Sequence, residues 1–231
     1  MQGSGAAHAS YKADWSDTKA ALDRISLLAF VFCGFSGPET VKHPDKIMLK
    51  NTERSWGAVS RALHWLLGLA ILGMLAYGWW MNHVPARADR FFHRSLHADI
   101  GYLVLLLMVL RMIWVMVNPK PALPTGTPKW ERVLAHANQG LLYLLTIVVA
   151  MLGWAHSGAH KPTYADWFGL FRIPQFTTEN RAASRFYENW HIYLAYALLA
   201  LIVLHVAAAL YHRFIKNDGV LERMIDGKAR G

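Results

Sequence analysis

Cysteine is all but missing. Cys33 stands alone in 231 residues, so no disulfide can form within the chain. Charge is scarce as well. Asp, Glu, Lys and Arg make up 17% of the residues, whereas a soluble domain carries about 25%. That scarcity, with 54% hydrophobic residues, excludes an ordinary soluble domain. Acidic residues are the rarer sign, and the formal net charge is +9. No nucleic-acid partner follows from this balance, because the Lys and Arg lie between apolar runs, where they act as determinants of membrane topology. Internal repeats and low-complexity tracts are also lacking.

What the chain does have is a series of apolar runs, each about long enough to cross a bilayer core. They fall near Ala62–Met81, His97–Val117, Val133–Ala155 and Ile192–Leu210, the last inside a longer helix, Trp190–Lys216. The expected fold is an all-α, integral membrane four-helix bundle. Residues 1–50 read as an N-terminal extension, cytoplasmic or disordered, 51–224 as the four-span domain, and 225–231 as a cytoplasmic tail. The extension carries an apolar patch, Ile25–Phe35, of 11 residues. That is too short to span, and no A-x-A-like cleavage site follows it. Met48 is an alternative start, since the membrane pattern begins directly after it.

Four spans place both termini on one side. Twelve Lys and Arg near the span ends on that side, against seven on the other, assign the termini to the cytoplasm. The longest connection, His156–Asn189, then faces outward, and its aromatic stretch Tyr164–Pro174 reads as a short interfacial segment.

An imidazole inside an apolar span needs a reason. His191 and His205 are fourteen residues apart on the fourth helix, which puts them on one stripe about 21 Å apart. Two histidines near opposite membrane surfaces suit two separate metal centres. Depth supplies the partners: His64, near the cytoplasmic end of the first span, for His205, and His97, which opens the second span on the outer side, for His191. Each centre then takes one histidine from each of two facing helices, the way bundles build cofactor sites. With no C-x-x-C-H in the chain, thioether attachment is excluded. The expectation is two haem b groups, with His64, His97, His191 and His205 as iron ligands. Gly68, Gly101, Ala195 and Ala209, each four residues past a candidate ligand, leave room for a porphyrin face.

Arg111 lies fourteen residues after His97 and so at the depth of the inner centre. It reads either as a partner for a haem propionate, and hence a cofactor-binding residue, or as a side chain snorkelling to the cytoplasmic headgroups. His136, followed by Gly140, rivals His64. His93 reads as a loop residue or as support for His97, and His212 as interfacial. His8, His43, His83, His156 and His160 carry no metal signal.

Three stretches, NTERSWGAVSRALHW (Asn51–Trp65), SLHADIGYLVLLLMVLR (Ser95–Arg111) and NWHIYLAY with LHVAAALYH (within Asn189–His212), resemble the bacterial cytochrome b561 family. The resemblance covers about Asn51–Met224 and implies a four-helix, di-haem cytochrome b of the cell inner membrane. The family's ligand pattern falls on His64, His97, His191 and His205. It also implies electron exchange with ubiquinone and, for some members, oxidation of superoxide on the periplasmic face, which would make the chain an oxidoreductase. Iron with two histidines has no open axial position, so the chemistry expected is outer-sphere electron transfer, and no catalytic residue is identified. Outer arginines, among them Arg87, Arg90 and Arg94, would draw a small anion. The alternative is a haem-binding membrane anchor subunit that passes electrons for a partner dehydrogenase or hydrogenase. Met1–Ile47 departs from the family pattern.

Overall fold

The computed structural model describes residues 48–83, 86, 88–124, 126–160 and 166–227. The expectations for Met1–Ile47, including the Ile25–Phe35 patch, and for Arg87, Tyr164 and Ala165 lie outside these residues, as does most of the tail beyond Gly227. Four long helices dominate: α1 (Ala58–His83), α2 (Arg90–Val117), α3 (Lys129–His160) and α4 (Arg181–Tyr211). All four are long and apolar enough to cross a membrane. A single π-helical turn, His212–Lys216, prolongs α4 and is followed by the short α5 (Val220–Ile225).

The helices overrun the apolar runs, most of all at the starts of α2 and α4. α2 starts at Arg90 and α4 at Arg181, seven and nine residues before the expected starts. His97 therefore lies two turns inside its helix and does not open it. The cause is physical: hydropathy marks the hydrocarbon-spanning centre, while the helix continues through the polar interface, where Arg and Glu are solvated. A local cap fixes the true start of α4. The Asn180 side chain accepts hydrogen bonds from the amides of Ala182 and Ala183, both at 3.0 Å, satisfying two donors that the first turn leaves free.

Backbones pack closely along α3–α4, α1–α2 and α2–α3. A buried apolar layer of Leu67, Val104 and Met108, joined by Ile71, Met74, Tyr143 and Ile147, ties α1, α2 and α3 together near mid-bundle. Outward side chains such as Leu69, Leu106 and Val203 are exposed and apolar, the surface that a bilayer covers.

One end of the bundle is clamped by both described termini. Asn51 is buried; its Oδ1 accepts from the Gly57 amide at 3.0 Å and the Ser60 hydroxyl at 2.6 Å, and its Nδ2 donates to the Pro119 carbonyl at 3.0 Å. A Cβ on Gly57 would collide with the Leu49 carbonyl, so the hook Met48–Gly57 needs glycine there. From the C-terminal side, the Ile225 carbonyl accepts from Arg61 at 2.8 Å and the Met224 carbonyl from Trp65 at 3.0 Å. Arg213 pairs with buried Glu222 at 2.8 Å, and Lys216 pairs with Glu131 across to α3. At the other end, the aromatic stretch forms an antiparallel hairpin, β1 (Asp166–Trp167) with β2 (Phe171–Arg172). Phe168 and Gly169 turn it at positive φ, and the Trp167 indole donates to the Asp99 carbonyl on α2 at 3.1 Å.

Candidate functional site: two histidine pairs across the bundle

The structure brings together all four histidines that depth singled out, in the expected pairs. His64 of α1 faces His205 of α4 with ring centroids 6.1 Å apart and planes at 62°. His97 of α2 faces His191 of α4 at 6.0 Å and 78°. Fourteen residues of α4 separate the two levels, about 21 Å of helix. The Leu67, Val104 and Met108 layer lies between them in sequence on α1 and α2.

The His97–His191 level opens into a cavity of about 730 Å3, lined by all four helices. Glycine shapes its walls. A Cβ on Gly78 of α1 would stand 3.2 Å from His97 Cε1, and one on Gly153 of α3 would stand 3.2 Å from His191 Cε1 and 3.3 Å from its Nδ1. Both rings rest directly on glycine backbone. The His191 Nδ1 lies 2.8 Å from the Val149 carbonyl; a carbonyl only accepts, so Nδ1 carries the proton and Nε2 is left with a lone pair. Tyr77 stacks on His97 at 6.2 Å and 19°. Among the described residues, three buried polar atoms at this cavity have no protein partner: His97 Nδ1, Tyr102 Oη and Ser157 Oγ. Arg94 and Glu188 line the same cavity.

At the His64–His205 level the notable side chain is Arg111. Its Nε donates to the Tyr143 hydroxyl at 3.1 Å and its Nη1 to the Ser60 carbonyl at 3.2 Å, while its Nη2 lies 3.4 Å from His64 Nδ1. Ser60 in turn accepts from the Trp114 indole at 3.0 Å and donates to Asn51 at 2.6 Å, so the terminal hook and the arginine share one network. Each of the three guanidinium nitrogens of Arg111 thus meets a protein atom, and these contacts select neither of its two readings.

Comparison with known proteins bears on what such a bundle holds. The family model described as prokaryotic cytochrome b561 matches residues 55–227. "Cytochrome b561 homolog 2" of Escherichia coli (strain K12) is 35% identical over 179 residues, 76% of this chain and 93% of the relative. "Cytochrome b561 homolog 1" of the same organism is 27% identical, covering 71% and 92%. "Probable superoxide oxidase CybB" of Yersinia pestis is 25% identical, covering 76% and 98%. The chain belongs to the prokaryotic cytochrome b561 family. It is a helical, multi-pass membrane protein that binds b-type haem and serves electron transport.

Other histidines of this cytochrome b561 relative sit differently. His136, the rival to His64, is exposed, with Nδ1 2.6 Å from the Arg132 carbonyl one turn back. His93 is helical, not a loop residue, and lies 2.8 Å from the Tyr77 hydroxyl. His212 meets Asp218 at 2.6 Å, and His156 meets the Ser184 carbonyl at 3.1 Å while lining the cavity. At two of the +4 positions the space is open: a Cβ on Gly68 would meet nothing within 4 Å, and one on Gly101 only Met74 Cε at 3.8 Å. Gly78 and Gly153 are instead the glycines that lie against the histidine rings. Gly78 carried a readable signal, since it stands fourteen residues after His64 and so on the same stripe at the other level.

Proposed function

We propose that this chain holds two b-type haems, one between His64 and His205 and one between His97 and His191. It would pass electrons from a periplasmic-side donor to ubiquinone in the inner membrane. The observation that carries the reading is the spacing of the two pairs. Two imidazoles that held one metal ion between facing helices would bring their ring centroids to about 6 Å, two bonds of about 2 Å plus two ring radii of about 1 Å. The observed separations are 6.1 and 6.0 Å. The Val149 carbonyl fixes the His191 tautomer that leaves Nε2 for metal, and Gly78 and Gly153 let the α1 and α3 backbones close in on the rings. When bound, such a group supplies reversible one-electron transfer. The domain of residues 51–224 would be the di-haem unit, with residues 1–50 an extension outside it and 225–231 a tail; the hook shows Met48–Lys50 also touching the start of α1.

If the four histidines held the two haems in these pairs, neither donor nor acceptor would ligate iron, and exchange would be outer-sphere. The side holding Arg90, Arg94 and the hairpin is assigned to the periplasm, and the clamped end with both termini to the cytoplasm, because twelve Lys and Arg near the span ends lie there against seven opposite. The name of the Yersinia pestis relative supports superoxide as donor. Two superoxide anions would leave as dioxygen, and their two electrons with two protons would convert one quinone to quinol. Arg94 in the cavity lining, with Arg90 one turn before it, would raise the local concentration of a small anion. The test is reduction of the purified cytochrome by a superoxide flux at two ionic strengths. Steering fades as the Debye length falls from about 10 Å at 0.1 M to about 3 Å at 1 M salt, so reduction should be fast at low salt and clearly slower at high salt. A cytochrome with both haems that superoxide does not reduce at any salt would remove superoxide as donor. A role as the membrane anchor of a partner dehydrogenase or hydrogenase would replace it.

A further inference from the structure

The two histidine levels differ in what faces the ring nitrogen that does not bind metal. His191 Nδ1 donates to a neutral acceptor, the Val149 carbonyl, at 2.8 Å. Such a hydrogen bond makes an imidazole ligand more basic, favours the ferric state and lowers a haem's potential. His64 Nδ1 faces the Arg111 guanidinium at 3.4 Å. Guanidinium only donates, and a histidine bound to metal through Nε2 also carries its proton on Nδ1. No hydrogen bond can then form between them, so a full positive charge stands beside the ligand. The Tyr143 hydroxyl and the Ser60 carbonyl hold that charge independently of His64. Both partners are neutral, and no Asp or Glu occurs in α1, in Ile100–Val117 or in Trp190–Tyr211. At the other level the cavity lining carries both signs of charge, Arg94 and Glu188. A cation beside a ligand favours the ferrous state, whose iron carries one positive charge fewer, and the weak screening of a bundle interior preserves the effect.

We propose that Arg111 is a positioning and tuning residue that acts through His64 and makes the His64–His205 haem the higher-potential of the two. An electron entering at the His97–His191 level would then settle at the clamped end of the bundle. The inference rests on the two-haem reading above. It is tested by spectroelectrochemical titration of the purified holoprotein. Two one-electron components are expected, and His205→Ala should delete the higher one. Arg111→Gln should lower the higher component by at least tenfold in its reduced-to-oxidised ratio at fixed potential, about 59 mV for one electron, and leave the lower component within twofold. Arg111→Lys, which keeps the charge, should restore most of that shift. Deletion of the lower component by His205→Ala would overturn the inference, as would Arg111→Gln with both haems bound and the higher component unmoved. If Arg111→Gln fails to retain haem, the His205→Ala titration alone decides. Fewer than two haems in the wild-type chain would instead overturn the two-haem reading, so the two failures are distinguishable.

Discussion

Gly153→Ala sets two energetic effects against each other and reads them in different assays. The added Cβ would lie 3.2 Å from His191 Cε1 and 3.3 Å from Nδ1, whereas unstrained carbon contacts fall at about 3.5–4.0 Å. The ring must retreat by a few tenths of an ångström. The direction of retreat is constrained, because Nδ1 is bonded to the carbonyl of Val149, one turn before Gly153 on the same helix, at 2.8 Å. Overpacking of this kind costs about 1–3 kcal/mol, which corresponds to about 5- to 150-fold in affinity. Meanwhile the helix itself gains about 1 kcal/mol from replacing an interior glycine with alanine. The helix gain offsets part of that cost, so the protein should still fold and insert, yet bind haem at the His97–His191 level at least fivefold more weakly. Haem titration of the apoprotein, followed by absorbance, resolves the two sites by affinity. Gly73→Ala is the control, since a Cβ there meets nothing within 4 Å. Unchanged affinity at both sites in Gly153→Ala, or equal weakening at both, would refute the argument.

Three further outcomes are expected. His64→Ala or His205→Ala should remove one haem and spare the other, His97→Ala or His191→Ala should do the reverse, and His136→Ala should remove neither, as read from the spectra of the purified variants. Asn51→Ala breaks three hydrogen bonds of a buried side chain and strands the Gly57 amide. A stranded buried donor costs about 1–3 kcal/mol, so the midpoint of thermal unfolding should fall, with the His64–His205 spectrum disturbed first because Ser60 and Arg111 share that network. A chain starting at Met48 should insert and bind haem as the full chain does, whereas one starting at Gly57, which lacks the hook, should lose stability by a margin like that of Asn51→Ala.

The apolar runs and the depth of four histidines made the bundle and both pairings legible, because each signal lies within one helix or follows from helical rise. The polar ends of α2 and α4 were not, since Arg90–Leu96 and Arg181–Asn189 resemble loop sequence once they leave the hydrocarbon. The hairpin was hidden for another reason: Phe168 sits at positive φ, a conformation that no residue-type signal suggested. The clamp could not be read at all. Asn51 finds Pro119 sixty-eight positions away, and Trp65 finds Met224 at a separation of 159; only tertiary structure joins them. Gly78 and Gly153 leave no mark near the ligand on its own helix: Gly78 of α1 lies against His97 of α2, and Gly153 of α3 against His191 of α4.

The central claim is that two facing histidine pairs each hold one haem, and the haem-to-polypeptide ratio of the purified chain tests it most directly. A pyridine haemochrome assay against quantified protein, with the low-spin signature of two histidine ligands read from the same sample, should give two b-type haems per chain. A ratio of one or none in fully folded protein, or a high-spin spectrum from an iron with an open axial position, would contradict it.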